Sequence, residues 1–431
     1  MTDALEPAPP DAAPPRRRRF AIDVSPLRQR PFRRLWAGQT ITVVGAQMTL
    51  TAVPFQVFTV TRSSLDVGLT SIVALVPLIV FGLLGGAIAD TMDRRTLLLV
   101  TSGGTAVTSG LLLVQSLLPG NGHLWVLWTL TAVQSGLTAI NSPTRSAAIP
   151  ALVGSGDVAA ANALNYTVQQ VGVLAGPLLA GFLIDAGSLP VTYAVDTVGF
   201  LVAVLLLRGL PPLHPSGAPG GRVSLPAALR GVAAGFAFLR TQPVLLMTFV
   251  VDIVAMVFGW PRAVIPELAE TTFAGAGNAL GWLSAGVSIG AVLMGVVSGW
   301  VTRLDRQGVV VLGSICVWGV AIGLFGLSGS LFWAVFWLAV AGAGDLVSAI
   351  VRTAILQTAA PDDMRGRMQG VFTVVVAGGP RLGDLRAGGM AAALSIPATM
   401  ASGGVVIVVV MAVVAVVVPS FWRFRASTTV G

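Results

Sequence analysis

The sequence predicts an all-α membrane protein with twelve transmembrane helices in two pseudo-symmetric six-helix bundles. Three observations lead to this fold class: the composition, the recurrence of long apolar segments, and an internal repeat. Of the 431 residues, 55% are hydrophobic and only 10% are charged, whereas soluble domains carry about 25% charged residues. A chain of this length with so little charge cannot cover itself with polar surface, so we expect a lipid bilayer around it.

Apolar segments recur at the length that crosses a bilayer. A transmembrane helix needs about 20 consecutive, mainly apolar residues. The expected spans are 34–61, 66–89, 96–118, 124–144, 162–185, 190–207, 243–265, 278–301, 308–329, 331–351, 369–392 and 397–418. Because their number is even, both chain termini are expected on the same side of the membrane.

The basic residues indicate which side that is. All 26 are arginines, and all but four lie in the tails or connections on the side of the termini. The four exceptions are Arg62, Arg262, Arg381 and Arg386. Positively charged connections stay in the cytoplasm. The sequence therefore predicts cytoplasmic termini and a multi-pass protein of the cytoplasmic (inner) cell membrane.

The spans and the segments between them divide the chain into five parts. These are a disordered basic cytoplasmic tail, an N-terminal bundle, a cytoplasmic linker, a C-terminal bundle and a cytoplasmic tail, at 1–33, 34–207, 208–242, 243–418 and 419–431. Proline and glycine dominate the first half of the linker, as in flexible connections. Its second half, about 225–240, has the pattern of an amphipathic helix that lies on a membrane surface.

Two pairs of segments show that the halves repeat one another. The segment 81–95 matches 294–308 at a constant offset, and 173–181 matches 376–384. The aligned residues are Gly82 with Gly295, Gly86 with Gly299, Asp90 with Arg303, Gly176 with Gly379, and Pro177 with Pro380. Outside these segments, Arg145 at the end of span 4 has a counterpart in Arg352 at the end of span 10. Secondary transporters are built from such paired halves, with a site between them near the middle of the membrane.

The segment GAIADTMDRR, residues 86–95, resembles the cytoplasmic loop signature of the major facilitator superfamily, G-x-x-x-D-x-x-G-R-R/K. The resemblance implies that Asp90 helps to latch the two halves through the start of span 11, while Arg94 and Arg95 hold the loop. The alternative is that these two arginines are ordinary cytoplasmic anchors. Asp93 stands where the family has glycine. The expected cytoplasmic gate comprises Gly86, Asp90, Arg94, Arg95, Arg145, Arg303 and Arg352.

Longer segments extend the resemblance over most of the chain. Residues 30–69, 228–246 and 356–370 look like the enterobactin-exporter and drug-efflux branch of this superfamily. That resemblance implies alternating-access export of a small organic molecule (a siderophore, an antibiotic or a drug-like compound) with proton antiport. The alternatives are a proton-coupled importer of a small metabolite and a non-transporting sensor with a permease fold.

Ionisable side chains inside a span are costly and therefore mark candidate sites. Asp252, Asp345, Arg381 and Asp384 are the candidates for proton or substrate coupling. Spans 1, 4, 7 and 10 line the cavity in the superfamily, which makes Asp252 and Asp345 the best placed. Arg381 and Asp384, three residues apart on one helix, either neutralise one another or take part in coupling. Asp196 is expected to be a solvated charge near the outer end of span 6.

Uncharged residues form a second layer of candidates. The polar candidates for the cavity, which either bind substrate or bridge helices, are Gln39, Gln47, Gln56, Gln134 and Asn141. The candidates for helix bends, which otherwise serve close packing, are Gly172, Gly176, Pro177, Gly181, Gly379 and Pro380. Many proton antiporters carry an arginine three residues before the glutamine of span 4, where this chain has Thr131.

The composition argues against several other functions. Two histidines and one cysteine, far apart in the sequence, predict neither a metal site nor an enzyme active site. Without any lysine the chain cannot form a Gly-x-x-x-x-Gly-Lys-Ser/Thr phosphate loop, so we expect no ATP-driven transport and no cofactor. The arginines lie between apolar spans rather than along one soluble face, which argues against nucleic acid. The expected partners are a small-molecule substrate, protons and the bilayer, with the chain acting as a monomer.

Overall fold

The computed structural model describes residues 23–214, 225–359 and 364–425, and within these ranges the regular structure is helical. The helices are α1 Arg30–Thr61, α2 Ser64–Thr91, α3 Arg94–Leu117, α4 Leu124–Leu152, α5 Val158–Asp185, α6 Leu189–Arg208, α7 Leu225–Leu239, α8 Pro243–Gly259, α9 Ile265–Glu270, α10 Ala279–Val297, α11 Gln307–Gly326, α12 Leu331–Ala359, α13 Arg365–Ala393, α14 Ile396–Val417 and α15 Pro419–Trp422. Short 3₁₀ turns precede α1 and α9 and follow α10.

Twelve of these helices are long, six before α7 and six after it. Ten segments in the described part of the chain are long and apolar enough to cross a membrane, one of which joins α8 to α9. The other two long helices, α4 and α13, fall below the same apolar threshold. The twelve-helix expectation is therefore consistent with the structure.

Several helix ends lie beyond the spans expected from hydropathy. The helix α1 begins at Arg30, after a 3₁₀ turn at Ser25–Arg28, so residues 25–33 are ordered although the sequence placed them in a disordered tail. The helix α4 runs to Leu152, past the expected 144. Polar residues also form helical hydrogen bonds, so a helix can extend beyond the apolar segment that crosses the membrane. Residues 1–22, 215–224 and 426–431 lie outside the described part of the chain.

The two halves pack their helices in the same way. In the N-terminal half α2 packs on α4, α1 on α5 and α3 on α6; in the C-terminal half α10 packs on α12, α8 on α13 and α11 on α14. The halves meet through two equivalent pairs, α2 with α13 and α5 with α10. This arrangement is the pseudo-twofold symmetry that the repeat predicted, with a cleft between two six-helix bundles.

Apolar side chains on the outside of the molecule face the position of the lipid. On α14 Val405, Val409, Val413 and Val416 form an exposed stripe at helical spacing. At the start of α12 Phe332 and Trp333 are exposed, where aromatic rings suit the boundary between lipid and water. A surface of this kind requires a bilayer.

Candidate functional site

The start of α1, the end of α14 and the α2–α3 connection lie at one end of the molecule, here called the terminal face. The end with the α1–α2 connection is the opposite face. At the opposite face the two halves are joined by polar contacts. Arg62 forms an ion pair with Glu270 of α9, and Ser64 donates a hydrogen bond to Glu267. Thr59 Oγ1 also donates to Glu270 Oε1 at 3.1 Å. Three side chains of the N-terminal half thus hold α9 of the C-terminal half.

A second polar contact between the halves lies deeper. The Asp384 side chain of α13 is fully buried. Its Oδ2 accepts hydrogen bonds from Ser71 Oγ of α2 at 2.6 Å and from Arg262 Nη2 at 3.0 Å. Arg262 neutralises the carboxylate, and Ser71 ties it to the other half.

The glycines of α2 and α13 differ in how closely they approach the other half. Near the opposite face, a Cβ on Gly68 would clash with the backbone of Asp384, and one on Gly388 with the backbone of Ser64. Toward the terminal face, a Cβ on Gly82 or on Gly86 would have no neighbouring atom within 4 Å. The tight contacts of these glycines with the other half therefore lie toward the opposite face.

Three charged side chains meet inside the C-terminal half. Arg352 Nη1 of α12 lies 2.6 Å from Asp252 Oδ1 of α8, and its Nη2 lies 3.9 Å from Asp345 Oδ1. Ser348 Oγ accepts a further hydrogen bond from Arg352 Nε at 3.0 Å. The Asp252 side chain is 7% exposed and the Asp345 side chain is 33% exposed. Asp252 is thus the buried structural partner of Arg352, and Asp345 is the more accessible carboxyl group.

The charges of this cluster are unbalanced when both carboxyl groups are ionised. Two carboxylates then share one guanidinium, which leaves a net charge of about −1 in a region of low dielectric. A proton on Asp345 would remove that charge while leaving the short pair between Arg352 and Asp252 intact. The cluster can therefore exist in two charge states without losing its main ion pair.

The other coupling candidate, Arg381, lies apart from this cluster. The ion-pair partner of Asp384 is Arg262 rather than Arg381. Arg381 Nη1 instead donates to the carbonyl oxygen of Ala377 at 2.8 Å, one turn earlier on α13. Asp384 therefore pairs with Arg262, in the segment between α8 and α9, and not with Arg381 three residues earlier on α13, the pairing that the i,i+3 spacing allowed.

The loop after α2 is held to its own half. Arg94 Nη1 donates to the carbonyl oxygen of Ala147 at 3.1 Å, and Arg95 Nη2 donates to that of Arg208 at 2.6 Å. The Asp90 side chain is 64% exposed, with Arg94 at 3.9 Å. An exposed Asp90 fits halves that have separated at the terminal face. The side chain of Arg303 lies outside the described part of the structure.

Asp93, the departure from the family signature, has a role of its own. It is the N-cap of α3, where its Oδ2 accepts from the backbone N–H of Thr96 at 2.9 Å. Its Oδ1 accepts from the backbone N–H of Leu213 at 2.6 Å, which fixes the start of the linker. Burial raises the pKa of Asp93, but the hydrogen bonds from Thr96 and Leu213 outweigh it, so the pKa lies below its ordinary value.

Most of the polar cavity candidates bridge helices. Gln56 Oε1 accepts from Tyr193 Oη at 2.7 Å, Gln134 Nε2 donates to Ser109 Oγ at 3.2 Å, and Asn141 Nδ2 donates to Thr101 Oγ1 at 2.7 Å. Gln39 is buried. Gln47 is the one of these five candidates that lines a cavity of about 170 Å³ between the halves.

The lining of that cavity comes from α1 and α5 of the N-terminal half and from residues between Trp260 and Ser288 of the C-terminal half. Its polar and aromatic lining consists of Gln47, Thr51, Trp260, Arg262, Ser284 and Ser288. Trp260 is stacked on Trp318, with ring centroids 6.1 Å apart, and Trp318 Nε1 donates to the Ala255 carbonyl oxygen. The indole of Trp260 therefore presents a fixed apolar surface beside the Arg262 cation.

Arg145 is the N-terminal counterpart of Arg352 but has different partners. It is 9% exposed, and it donates to the Leu35 carbonyl oxygen at 3.3 Å and to Asn141 Oδ1 at 3.4 Å. Both arginines thus bond a polar residue one turn earlier on the same helix. Only Arg352 also has carboxylate partners among the described residues.

The glycine-rich segment of α5 serves close packing. A Cβ on Gly172 or Gly176 would clash with Val43 or Gln47 of α1. Gly181 lies against Gly281 of α10, and Pro177 lines the cavity. In the C-terminal half Gly379 lies against Met256 of α8, close to Pro380.

Sequence reasoning was wrong about Asp196, which is not a solvated charge. Its side chain is 1% exposed and accepts hydrogen bonds from Thr49 and Ser109, each at 2.7 Å. The helix α6 turns this residue toward α1 and α3, which its distance from the helix end does not reveal. The sequence signal for this burial was one hydroxyl residue on each neighbouring helix, Thr49 on α1 and Ser109 on α3, at the same depth as Asp196.

The described residues contain no group of three or more His, Cys, Asp or Glu side chains arranged to hold a metal ion. The groups that can do chemistry are therefore carboxyl groups and arginines inside the membrane layer.

Comparison with known proteins identifies relatives along nearly the whole chain. A family model described as transmembrane secretion effector matches residues 21–426. The enterobactin exporter EntS of Shigella boydii serotype 18 is 28% identical over 411 residues, covering 94% of this chain and 96% of the relative. EntS of Escherichia coli O81 matches with the same identity and coverage.

Solved structures confirm the fold at lower identity. The nucleoside transporter NupG superposes with a TM-score of 0.69 at 13% identity, covering 91% of this chain and 99% of that one. A peptide transporter POT in complex with sulfate gives a TM-score of 0.71 at 14% identity, covering 92% and 96%. The architecture is that of a major facilitator transporter.

Proposed function

This chain belongs to the transmembrane secretion effector family of major facilitator transporters, and from that premise we propose that it exports small organic molecules in exchange for protons. The family membership makes it a membrane transporter and not an enzyme. The direction of transport, the coupling ion and the cargo are the proposal.

The observation that carries the proposal is the Asp252–Arg352–Asp345 cluster. It places one cation between two carboxyl groups that differ in distance and exposure. In an exchange cycle, substrate bound from the cytoplasm and a proton bound from outside must occupy the carrier alternately. A carboxyl group that gains or loses a proton beside a fixed ion pair supports such alternation.

The closure at the opposite face supports alternating access. The contacts of Arg62, Ser64 and Ser71 with α9 and α13 join the halves at one end, and we infer that the cleft opens to the other. If the arginine-rich terminal face is cytoplasmic, this conformation receives cargo from the cytoplasm. Rocking of the halves would break these contacts and release the cargo outside.

The cargo class follows from the relatives and from the cavity. EntS is named as an exporter of enterobactin, and the cavity near Gln47 combines the Trp260 indole with hydroxyl and amide groups. Such a lining suits amphipathic organic molecules of the siderophore, antibiotic or drug-like kind. We propose that class, with the chain acting as a monomer.

The test is transport by the purified protein in liposomes under an imposed proton gradient, with enterobactin and ethidium as probes. We expect gradient-driven flux of at least one probe, and its loss in Asp345→Asn and Asp252→Asn. Asp305→Asn is the control, because Asp305 is an exposed acid in the connection before α11. A flux that does not depend on the proton gradient, or that is unchanged in both variants, would contradict proton exchange.

Import is the second candidate, and the same liposomes distinguish it. Vesicles are sorted by the side on which trypsin reaches the arginine-rich tails. Exchange predicts substrate movement against the proton flow and away from the terminal face. Movement with the protons toward the terminal face would establish import instead.

A further inference from the structure

Asp196 of α6 is a buried acid in the N-terminal half, remote from the cluster around Arg352. Thr49 Oγ1 of α1 and Ser109 Oγ of α3 both donate to its Oδ2 at 2.7 Å. Its Oδ1 is buried and has no hydrogen-bond partner among the described residues. Both hydroxyl groups therefore donate to the same oxygen of the carboxyl group, and the other oxygen accepts no hydrogen bond from the described residues.

The helices around Asp196 supply no cation at this depth. Those in contact with α6 are α1, α3 and α5. Their ionisable side chains lie toward the helix ends and are Arg30, Arg33, Arg34, Arg94, Arg95, Tyr166 and Asp185. On α6 itself Arg208 ends the helix, and Tyr193, one turn from Asp196, donates to Gln56 at 2.7 Å. None of these groups forms an ion pair with Asp196.

An ionised carboxylate at this place would be costly. Its Oδ1 rests against Gly45 of α1, where even a methyl group would clash with it, so no donor of the described structure reaches that oxygen. Asp196 lies seven residues from the start of α6, which is about 10 Å along the helix at 1.5 Å per residue. An unpaired charge buried at such a depth becomes neutral rather than staying ionised.

The repeat shows that the fold itself does not require an acid here. Residues 188–190 open α6 as Ser-Leu-Pro, and residues 395–397 open α14 as Ser-Ile-Pro. In this register Asp196 falls on Gly403. The two helices pack on equivalent partners, α3 and α11. The carboxyl group is therefore a property of the N-terminal half alone and not of the packing.

We propose that Asp196 is a second proton-binding residue, whose carboxyl group carries a proton on Oδ1 at neutral pH in this conformation. The Oδ2 atom is then the carbonyl oxygen that accepts from Thr49 and Ser109. The Ser109 hydroxyl also accepts from Gln134 of α4 at 3.2 Å, so Gln134 orients the hydroxyl that donates to Oδ2, the oxygen without the proton. Hydronium supplies the proton and leaves as water.

The test is infrared spectroscopy of the purified full-length protein in dodecyl maltoside micelles at neutral pH, because this detergent has no ester carbonyl group. The carbonyl stretch of a protonated carboxyl group is separate from the bands of a carboxylate. We expect such a band in the wild type, a weaker band in Asp196→Asn, and an unchanged band in the control Asp305→Asn, because Asp305 is an exposed acid in the connection before α11. Ser109→Ala and Thr49→Val should each raise its frequency, because each removes one hydrogen bond to Oδ2.

Either of two results would overturn the proposal. A wild-type spectrum without the band, or a band whose intensity is the same in Asp196→Asn, would mean that Asp196 is ionised. If Asp196→Asn does not fold, the two hydroxyl variants decide, and an unshifted band in both would refute the assignment. These spectra require no substrate flux, so their outcome is separate from that of the export experiment.

Discussion

Asp384 of α13 and Ser71 of α2 are joined by a hydrogen bond of 2.6 Å, although they belong to different halves of the molecule. The same carboxylate oxygen is held by Arg262 at 3.0 Å. The bond lies where the halves are closed, next to Gly68 on α2. It is therefore a contact that must break when the opposite face opens.

Removing the Ser71 hydroxyl should loosen that closure. Hydrogen bonds to charged groups contribute about 1.5–3 kcal/mol, so Ser71→Ala should raise the population open at the opposite face roughly 10- to 100-fold. The measurement is the labelling rate of Ser288→Cys in the cavity by an impermeant maleimide, in a Cys316→Ser background. Ser135→Ala is the control, because Ser135 bonds Ala74 within one half. Equal rates in both variants would contradict this role of Ser71.

Removing Arg262 should have a larger effect, on stability. Breaking a buried ion pair costs about 3–5 kcal/mol, because the remaining charge is left uncompensated. Arg262→Ala should therefore lower the melting temperature in detergent, and the double variant Arg262→Ala/Asp384→Asn should recover much of the loss. A double variant whose loss is the sum of the single losses would show that the two side chains act independently.

The two acids around Arg352 should differ in stability and in transport. Asp252→Asn removes the 2.6 Å partner of a nearly buried guanidinium, whereas Asp345→Asn removes one at 3.9 Å. We expect the first variant to melt at a lower temperature than the second. Asp345→Asn should fold well yet lose gradient-driven exchange, since its amide mimics the protonated acid. The reverse order of melting temperatures would contradict this division of roles.

Asp93 should stabilise the loop and the linker together. Asp93→Gly restores the residue of the family signature but removes an N-cap, which costs about 0.5–2 kcal/mol. It also removes the bond to Leu213, so trypsin should cleave at Arg222 in the linker faster than in the wild type. Asp93→Asn keeps a neutral acceptor and should be intermediate. Unchanged cleavage in the glycine variant would show that Leu213 is held by other contacts.

The same residue predicts a dependence of linker stability on pH. The folded pKa of Asp93 lies below its value of 3.8 in the unfolded chain. Its contribution is therefore fully present above that value and is lost as the pH falls through the lower, folded pKa. The difference in linker cleavage between wild type and Asp93→Asn should shrink in acid. An acid-stable protease such as pepsin measures it.

Much of the fold could be predicted from the sequence. Hydropathy predicted the membrane-spanning helices, the arginine distribution predicted the side of the termini, and the repeat predicted two equivalent halves. The span ends were less accurate: α1 begins at Arg30 and α4 runs to Leu152, since a helix continues where the apolar layer ends. The sequence also found both acids that meet at Arg352. That they share this arginine depends on the crossing of α8 and α12, which no local pattern encodes.

Other parts of the site depend on contacts between distant segments. The choice of Arg262 rather than Arg381 for Asp384 is made by the approach of the segment between α8 and α9 to α13. The burial of Asp196 depends on the face of α6 that meets α1 and α3. In both cases the sequence shows only that an acidic residue is present, and tertiary packing determines its partners.

Alternation of the two halves under control of Asp345 is the central claim, and distances between spin labels test it most directly. One pair joins Met92→Cys to Val297→Cys at the terminal face, and the other joins Leu118→Cys to Leu327→Cys at the opposite face, all at exposed positions in the Cys316→Ser background. Raising the pH in the presence of enterobactin should shorten the first distance and lengthen the second. Asp345→Asn should hold both distances at their low-pH values. Distances that do not change with pH, or that change equally in Asp345→Asn, would contradict the account.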